Sequence, residues 1–173
     1  MIIVLTYVQD ALLEPEETSQ LMKAEVSQPC CTAIQIALVQ LLVSWGVELA
    51  AVVGHSSGEI AAAFACGSIT ASDAIKAAYY RGKVTKSLNL ARPGAMAAIG
   101  LGRSAVSSFL VPGVIIGCEN SPDSVTLTGD ARKVEAVVKE IKQENPETLA
   151  RLLRVSCAYH SGESIQAARF DRC

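Results

Sequence analysis

Five residues, Gly54-His55-Ser56-Ser57-Gly58, follow directly on the apolar run Ala50-Ala51-Val52-Val53 and lead into Glu59-Ile60-Ala61-Ala62-Ala63-Phe64. A β-branched run closed by Gly-x-Ser-x-Gly and continued by helix formers reads as a strand, a tight turn and a helix, the nucleophile elbow. Few short motifs constrain a fold more: a strand must stand behind the serine and a helix must leave in front of it. The turn is too sharp for Cβ atoms beside the serine, which accounts for glycine at 54 and 58. The Ser56 hydroxyl is then held out of the fold where a carbonyl carbon can reach it. The N–H of Ser57 points at the oxygen that becomes negative during attack. The competing reading is a glycine-rich strand-to-helix turn with no chemistry.

At 173 residues, half of them apolar, the chain suits one ordinary domain or two small subdomains. With net charge −2, no basic stripe and only 5% aromatic residues, nothing favours nucleic-acid binding. The six cysteines, Cys30, Cys31, Cys66, Cys118, Cys157 and Cys173, form no CxxC pair and no metal-finger spacing. Adjacent Cys30-Cys31 and the strand-like settings of Cys118 and Cys157 read as small buried hydrophobes in a reducing, cytoplasmic setting, with no bound metal expected. Residues 1–8 are apolar but lack the basic region and the small-residue cleavage site of a signal peptide. Residues 30–43 are apolar on nearly all sides, yet Gln35 and Gln40 interrupt them and the run is too short to span a membrane. A helix buried in a globular core is expected there.

Along the chain, residues 9–27 are acidic and helix-prone. Ser27-Gln28-Pro29 starts a helix that runs to 44 or 45 and ends at Gly46. The strand carrying the elbow occupies 49–53, and the helix after it reaches Ala65, closed by Gly67. Thr70-x-x-Asp73 resembles a capping box and opens a helix over 72–88. After Pro93-Gly94 the texture changes to strands at 95–99, 114–118, 124–127 and 149–155, with helices at 103–110 and 131–143. That β-α-β-β-α-β order is ferredoxin-like. The expected architecture is therefore α/β: a partial α/β-hydrolase-like core with parallel strands over 1–93, a ferredoxin-like subdomain over 94–156, and a return segment over 157–173.

A serine needs a base to act as a nucleophile at neutral pH. The chain has two histidines. His55 adjoins Ser56 and should project away from it. His160, in Ala158-Tyr159-His160-Ser161, could return from the last strand over the elbow, or simply be a histidine satisfied in a loop. Arg81 lies in an otherwise apolar helical stretch, where arginine is uncommon unless paired. It could hold a carboxylate bidentately across a cleft, or serve as a helix-end cation.

Taken together, Gln28-Pro29, Thr32-Ala33-Ile34-Gln35, Val53-Gly54-His55-Ser56-Ser57-Gly58-Glu59, Tyr80-Arg81-Gly82, Gly94-Ala95-Met96, Glu119-Asn120-Ser121-Pro122, Thr128-Gly129-Asp130 and Ala158-Tyr159-His160-Ser161 stand in a familiar order. Over residues 10–161 the chain closely resembles the acyltransferase (malonyl-CoA:acyl carrier protein transacylase) domain of fungal iterative polyketide synthases. The resemblance implies a ping-pong acyl transfer with malonyl-CoA as substrate and no bound cofactor. Ser56 is then the nucleophile and His160 the general base. The N–H of Ser57 and one further donor receive the oxyanion. Arg81 clamps the malonyl carboxylate, and Asn120 supports the cleft. The acceptor is the phosphopantetheine thiol of an acyl carrier protein, with other synthase domains as further partners and no membrane. Tyr159, just before the histidine, fills the space an α-methyl would need and so implies malonyl; excluding one methyl is worth only ~1–3 kcal/mol.

Members of that family carry a Gly-Gln-Gly segment upstream of the elbow, which helps to form the second oxyanion donor, and they continue well beyond the histidine. Here residues 1–8 match nothing of the kind, and residues 162–173 diverge. The expectation is a domain truncated at both ends, with apolar faces such as that of 30–43 exposed and little activity alone. Two other readings stay open. An α/β-hydrolase or thioesterase uses the same elbow, but needs an acid between serine and histidine, for which Asp123 and Asp130 are the candidates. The third reading is an inactive acyltransferase fragment kept only for binding.

Overall fold

The computed structural model describes residues 2–91, 93–155 and 157–161, with side chains from residue 7 onward except at 88–91. The chain forms two compact units, Met1–Lys86 and Ser87–Cys173. The division falls inside a helix, before the 93/94 boundary that composition suggests.

The first unit contains helix α1 (Ile2–Leu13), α2 (Ala24–Ser44), α3 (Gly58–Ala65) and most of α4 (Ala71–Ala91). Helix α2 begins earlier than Pro29 predicts, so the proline lies inside it, in the second turn. Its end follows the sequence: Gly46 takes φ +81°, the left-handed conformation that terminates helices. Gly67 closes α3 in the same way at φ +77°. Helix α4 opens with a reciprocal cap, Asp73 N–H to Thr70 Oγ1 (3.1 Å) and Thr70 Oγ1 to Asp73 Oδ2 (2.7 Å).

Two expectations fail in this unit. Residues 49–53 form no strand, and the unit contains no parallel sheet among its described residues. The reason is physical: an apolar, β-branched run becomes a strand only when neighbouring strands take its backbone hydrogen bonds. With none beside it, the run stays irregular and Val53 is 96% exposed. Helix α2 is not a core helix along its length: it buries Val26, Pro29, Cys30, Thr32 and Ile36, while Leu38, Leu41, Leu42 and Val43 are exposed, as expected for the apolar face of 30–43 without its neighbours. By length and composition alone α2 could cross a membrane, and 28% of its most apolar stretch is buried. The local core here is small, built on Val8, Val26 and Cys30.

The second unit holds β1 (Gly94–Ile99), the short helix α5 (Arg103–Val106) followed by a 3-10 turn (Ser107–Phe109), β2 (Val114–Ser121), β3 (Ser124–Asp130), α6 (Ala131–Glu144) and β4 (Ala150–Leu152). The strands make one four-stranded sheet in the order β2-β3-β1-β4, every pair antiparallel. A β-α-β-β-α-β chain with this strand order is a ferredoxin-like arrangement. Helix α6 repeats apolar residues at Val134, Val137, Val138 and Ile141, the spacing of one helical face. That face packs on Ala97, Ile99, Val125 and Leu127 to form the main core of the unit. Asp130 caps α6 by accepting the N–H of Lys133 at 3.2 Å. Strand β4 is shorter than the 149–155 run suggests, pairing only at residues 150–152. The divergent tail, residues 162–173, lies outside the described residues.

The cysteines divide. Cys30 and Cys157 are buried as expected, Cys118 is half-buried, and Cys31 and Cys66 are exposed. Burial pushes the Cys30 and Cys118 thiols up, away from the reactive thiolate form.

Candidate active site

In the first unit the elbow is drawn by backbone contacts. Ser56 adopts φ +53°, the left-handed region that non-glycine residues avoid. Gly58, Glu59 and Ile60 send their N–H groups back to the carbonyls of His55, Ser56 and Ser57 at 3.0, 3.2 and 3.3 Å, starting α3 directly at the serine. A Cβ on Gly54 would lie 2.4 Å from both Cα and N of Glu59, so only glycine fits. Gly58 is different. A Cβ there would meet nothing closer than Gln35 Nε2 at 3.9 Å, so crowding within the turn does not account for the second glycine.

Arg81 comes to the same place from α4. A Cβ on its neighbour Gly82 would stand 2.4 Å from the carbonyl oxygen of Ala24 and 2.7 Å from Cα of Glu25, so α4 lies directly on the backbone of α2. That approach brings the half-buried guanidinium between α2 and the elbow. Arg81 Nη1 donates to Oε1 of Gln28, and Nη2 donates to Ser56 Oγ at 3.5 Å. One turn further along α4, Lys86 Nζ pairs with Glu25 Oε1 at 2.6 Å. The Lys86 ammonium holds the Glu25 carboxyl below its ordinary value, and Lys86 is raised in return. Thr85, buried, donates its hydroxyl to the Arg81 carbonyl at 2.8 Å.

Tyr159, His160 and Asn120 belong to the second unit. Residues 157–161 form a turn in which His160 takes φ +59° and Ser161 Oγ bonds back to the Ala158 carbonyl at 2.7 Å. Thr128 in β3, fully buried, donates to the carbonyl of Tyr159 at 2.7 Å. A Cβ on Gly94 would fall 2.4 Å from the nitrogen of Ala158. A Cβ on Gly117 would fall 2.8 Å from Thr128 Cγ2 and 3.5 Å from His160 Cβ. Gly117 is the extra residue of a bulge, since Ile116 and Cys118 oppose the adjacent residues Leu127 and Thr126. The turn bearing the histidine is therefore anchored on β1, β2 and β3 together. Asn120 sits at a second irregularity in β2 and donates its Nδ2 to Thr126 Oγ1 at 3.0 Å, a bond within the hairpin.

Sequence reasoning missed Gln28. The Gln28-Pro29 pair marks the resemblance, but nothing local shows that residue 28 reaches an arginine fifty-three positions away.

Residues 6–171 match the family described as Acyl transferase domain. The chain is 57% identical over 154 residues to Highly reducing polyketide synthase g433 of Fusarium sp, an alignment covering 89% of this chain and 6% of that protein. Among solved structures, it superposes on the acyltransferase domain from the second module of the salinomycin polyketide synthase with TM-score 0.79 and 30% identity, over 98% of this chain and 40% of that one. It superposes likewise on the malonyl CoA-acyl carrier protein transacylase from Clostridium perfringens, with TM-score 0.77 and 26% identity, over 98% of this chain and 57% of that one. The chain belongs to the acyltransferase domain family of polyketide synthases, a family of transferases, and spans a small part of the length of the synthases it matches.

Proposed function

We propose that this chain carries out, as part of a polyketide synthase, transfer of a malonyl group from malonyl-CoA to the phosphopantetheine thiol of an acyl carrier protein. The observation that carries the reading is the guanidinium of Arg81 beside the hydroxyl of Ser56. In malonyl thioesters the free carboxylate lies one methylene from the carbonyl under attack. A fixed cation next to the nucleophile therefore suits that acyl group, whereas a neutral acyl would leave the cation without its charge partner.

In this scheme Ser56 Oγ attacks the thioester carbonyl while His160 accepts the hydroxyl proton. The tetrahedral oxyanion is received by the N–H of Ser57. Its collapse breaks the C–S bond, and His160 returns the proton to the leaving CoA thiolate. The carrier thiol then gives its proton to His160 and attacks the seryl ester, and collapse regenerates Ser56 with that same proton. Tyr159 is the residue that favours malonyl over a bulkier acyl group, and Asn120 stiffens the β2–β3 hairpin through Thr126. A cytoplasmic setting goes with this reading.

The hydrolase alternative loses its best acid, since Asp130 is engaged as the cap of α6, and Asp123 is exposed at the β2–β3 turn. A substrate panel tests the choice. Arg81→Ala should lower transfer from malonyl-CoA by about 10²-fold, the cost of removing one partner of a buried charge pair, and leave acetyl-CoA turnover nearly unchanged. Efficient hydrolysis of neutral thioesters, indifferent to Arg81→Ala, would refute transfer.

A further inference from the structure

The reaction scheme gives Gln28 no part, yet Gln28 holds the substrate-binding cation. Its Oε1 accepts from Arg81 Nη1, while Nη2 of the same guanidinium faces Ser56 Oγ at 3.5 Å. The two ends of one planar group thus have different partners, one on α2 and one at the nucleophile. Both ends of the tether stand on backbone whose spacing is fixed, because Gly82 sets α4 directly against Ala24 and Glu25 of α2. An arginine side chain has many rotamers, and an acceptor on its far nitrogen fixes the rotation of the guanidinium plane. The chemistry of the acceptor matters as well. An amide oxygen takes the hydrogen bond without cancelling the charge, whereas a carboxylate at the same place would hold the group and neutralise it.

We propose that Gln28 is a positioning residue: it turns the Arg81 guanidinium so that Nη2 stays on the acyl site, and thereby sets the preference for carboxylated over neutral acyl thioesters. This rests on the malonyl-transfer reading, and the test separates the two. With the full chain, seryl-ester formation from malonyl-CoA and from acetyl-CoA is measured for wild type, Gln28→Leu, Gln28→Glu, Arg81→Ala and the Gln28→Leu/Arg81→Ala double variant. Nitrogen NMR of the Arg81 guanidinium is recorded in parallel. Gln28→Leu should lower the malonyl-to-acetyl ratio about 10-fold, through a raised KM for malonyl-CoA, as expected for losing one hydrogen bond to a charged group. Gln28→Glu should lose the same ratio while keeping Nη1 and Nη2 as separate signals. In the Arg81→Ala background, Gln28→Leu should change nothing further.

Malonyl and acetyl rates that fall together, or a double variant in which the two effects add, would overturn the positioning role. Nη1 and Nη2 signals that stay distinct in Gln28→Leu would overturn the tether itself, independently of activity. A wild-type chain that forms no malonyl ester overturns the malonyl reading and the selectivity role with it, while the NMR comparison still decides the tether.

Discussion

Ser56 is presented by strain. Its φ of +53° costs a non-glycine residue roughly 1–2 kcal/mol, and the turn tolerates this because the N–H groups that follow begin α3 at once. Gly54 makes the approach possible, since the backbone of Glu59 occupies the space where a Cβ would stand. Gly54→Ala should therefore destabilise the fold by about 1–3 kcal/mol, read as a lower denaturation midpoint. Gly58→Ala should be neutral or slightly stabilising, because position 58 has room and begins a helix, where alanine is the better residue. Equal losses for the two variants would contradict this assignment. From the motif alone the glycines look equivalent, and only the three-dimensional neighbours distinguish them. Gln28 is the same case: its reach to Arg81 depends on how α4 crosses α2, which no local pattern encodes.

At the level of elements, close backbone approaches place the candidate site residues within each unit. Gly82 lets α4 lie on α2, so Gly82→Ala should push the helices apart, lower the denaturation midpoint by an amount corresponding to about 1–3 kcal/mol, and carry Arg81 away from Ser56. Thr128 ties the turn of Tyr159 and His160 to β3. Thr128→Val keeps the shape but leaves the Tyr159 carbonyl without this donor, at a cost of about 1–3 kcal/mol. Amide exchange over residues 157–161 should quicken in that variant, and unchanged exchange would show that the bond does not hold the turn. The Glu25–Lys86 pair adds a pH dependence to the helix crossing. The Glu25 carboxyl is lowered from 4.5, chiefly by its hydrogen bond to Lys86, so its contribution is complete above 4.5 and disappears as pH falls through the lower folded value. Lys86 is raised from 10.5 by the same bond, so its share is present below 10.5 and is lost as pH rises through the higher folded value. Denaturation midpoints of wild type and Lys86→Met should differ between these limits and converge in strong acid. A gap that persists there would assign the effect to packing of the lysine stem.

For the whole molecule, what could be read in advance was what local pattern determines. The second unit follows its turn and periodicity signals closely, because hairpins and an amphipathic helix such as α6 are specified by residues near one another in sequence. Residues 49–53 carry a strand composition without a strand, because pairing is a property of neighbours that a single run cannot supply. The apolar face of α2 is the same case: its composition suits a core, and with no described element covering it Leu38, Leu41 and Val43 are exposed, as the 30–43 run suggests. Ser56 and Arg81 are legible as residues, and the packing of α2, α3 and α4 brings their side chains to 3.5 Å. That Ser56 accepts a malonyl group can be decided by intact-mass measurement after incubation with malonyl-CoA. The wild-type chain should gain an adduct of malonyl mass, with much weaker acetylation from acetyl-CoA, and Ser56→Ala should gain none. A folded wild-type protein that stays unmodified, or an adduct that survives Ser56→Ala, would contradict it.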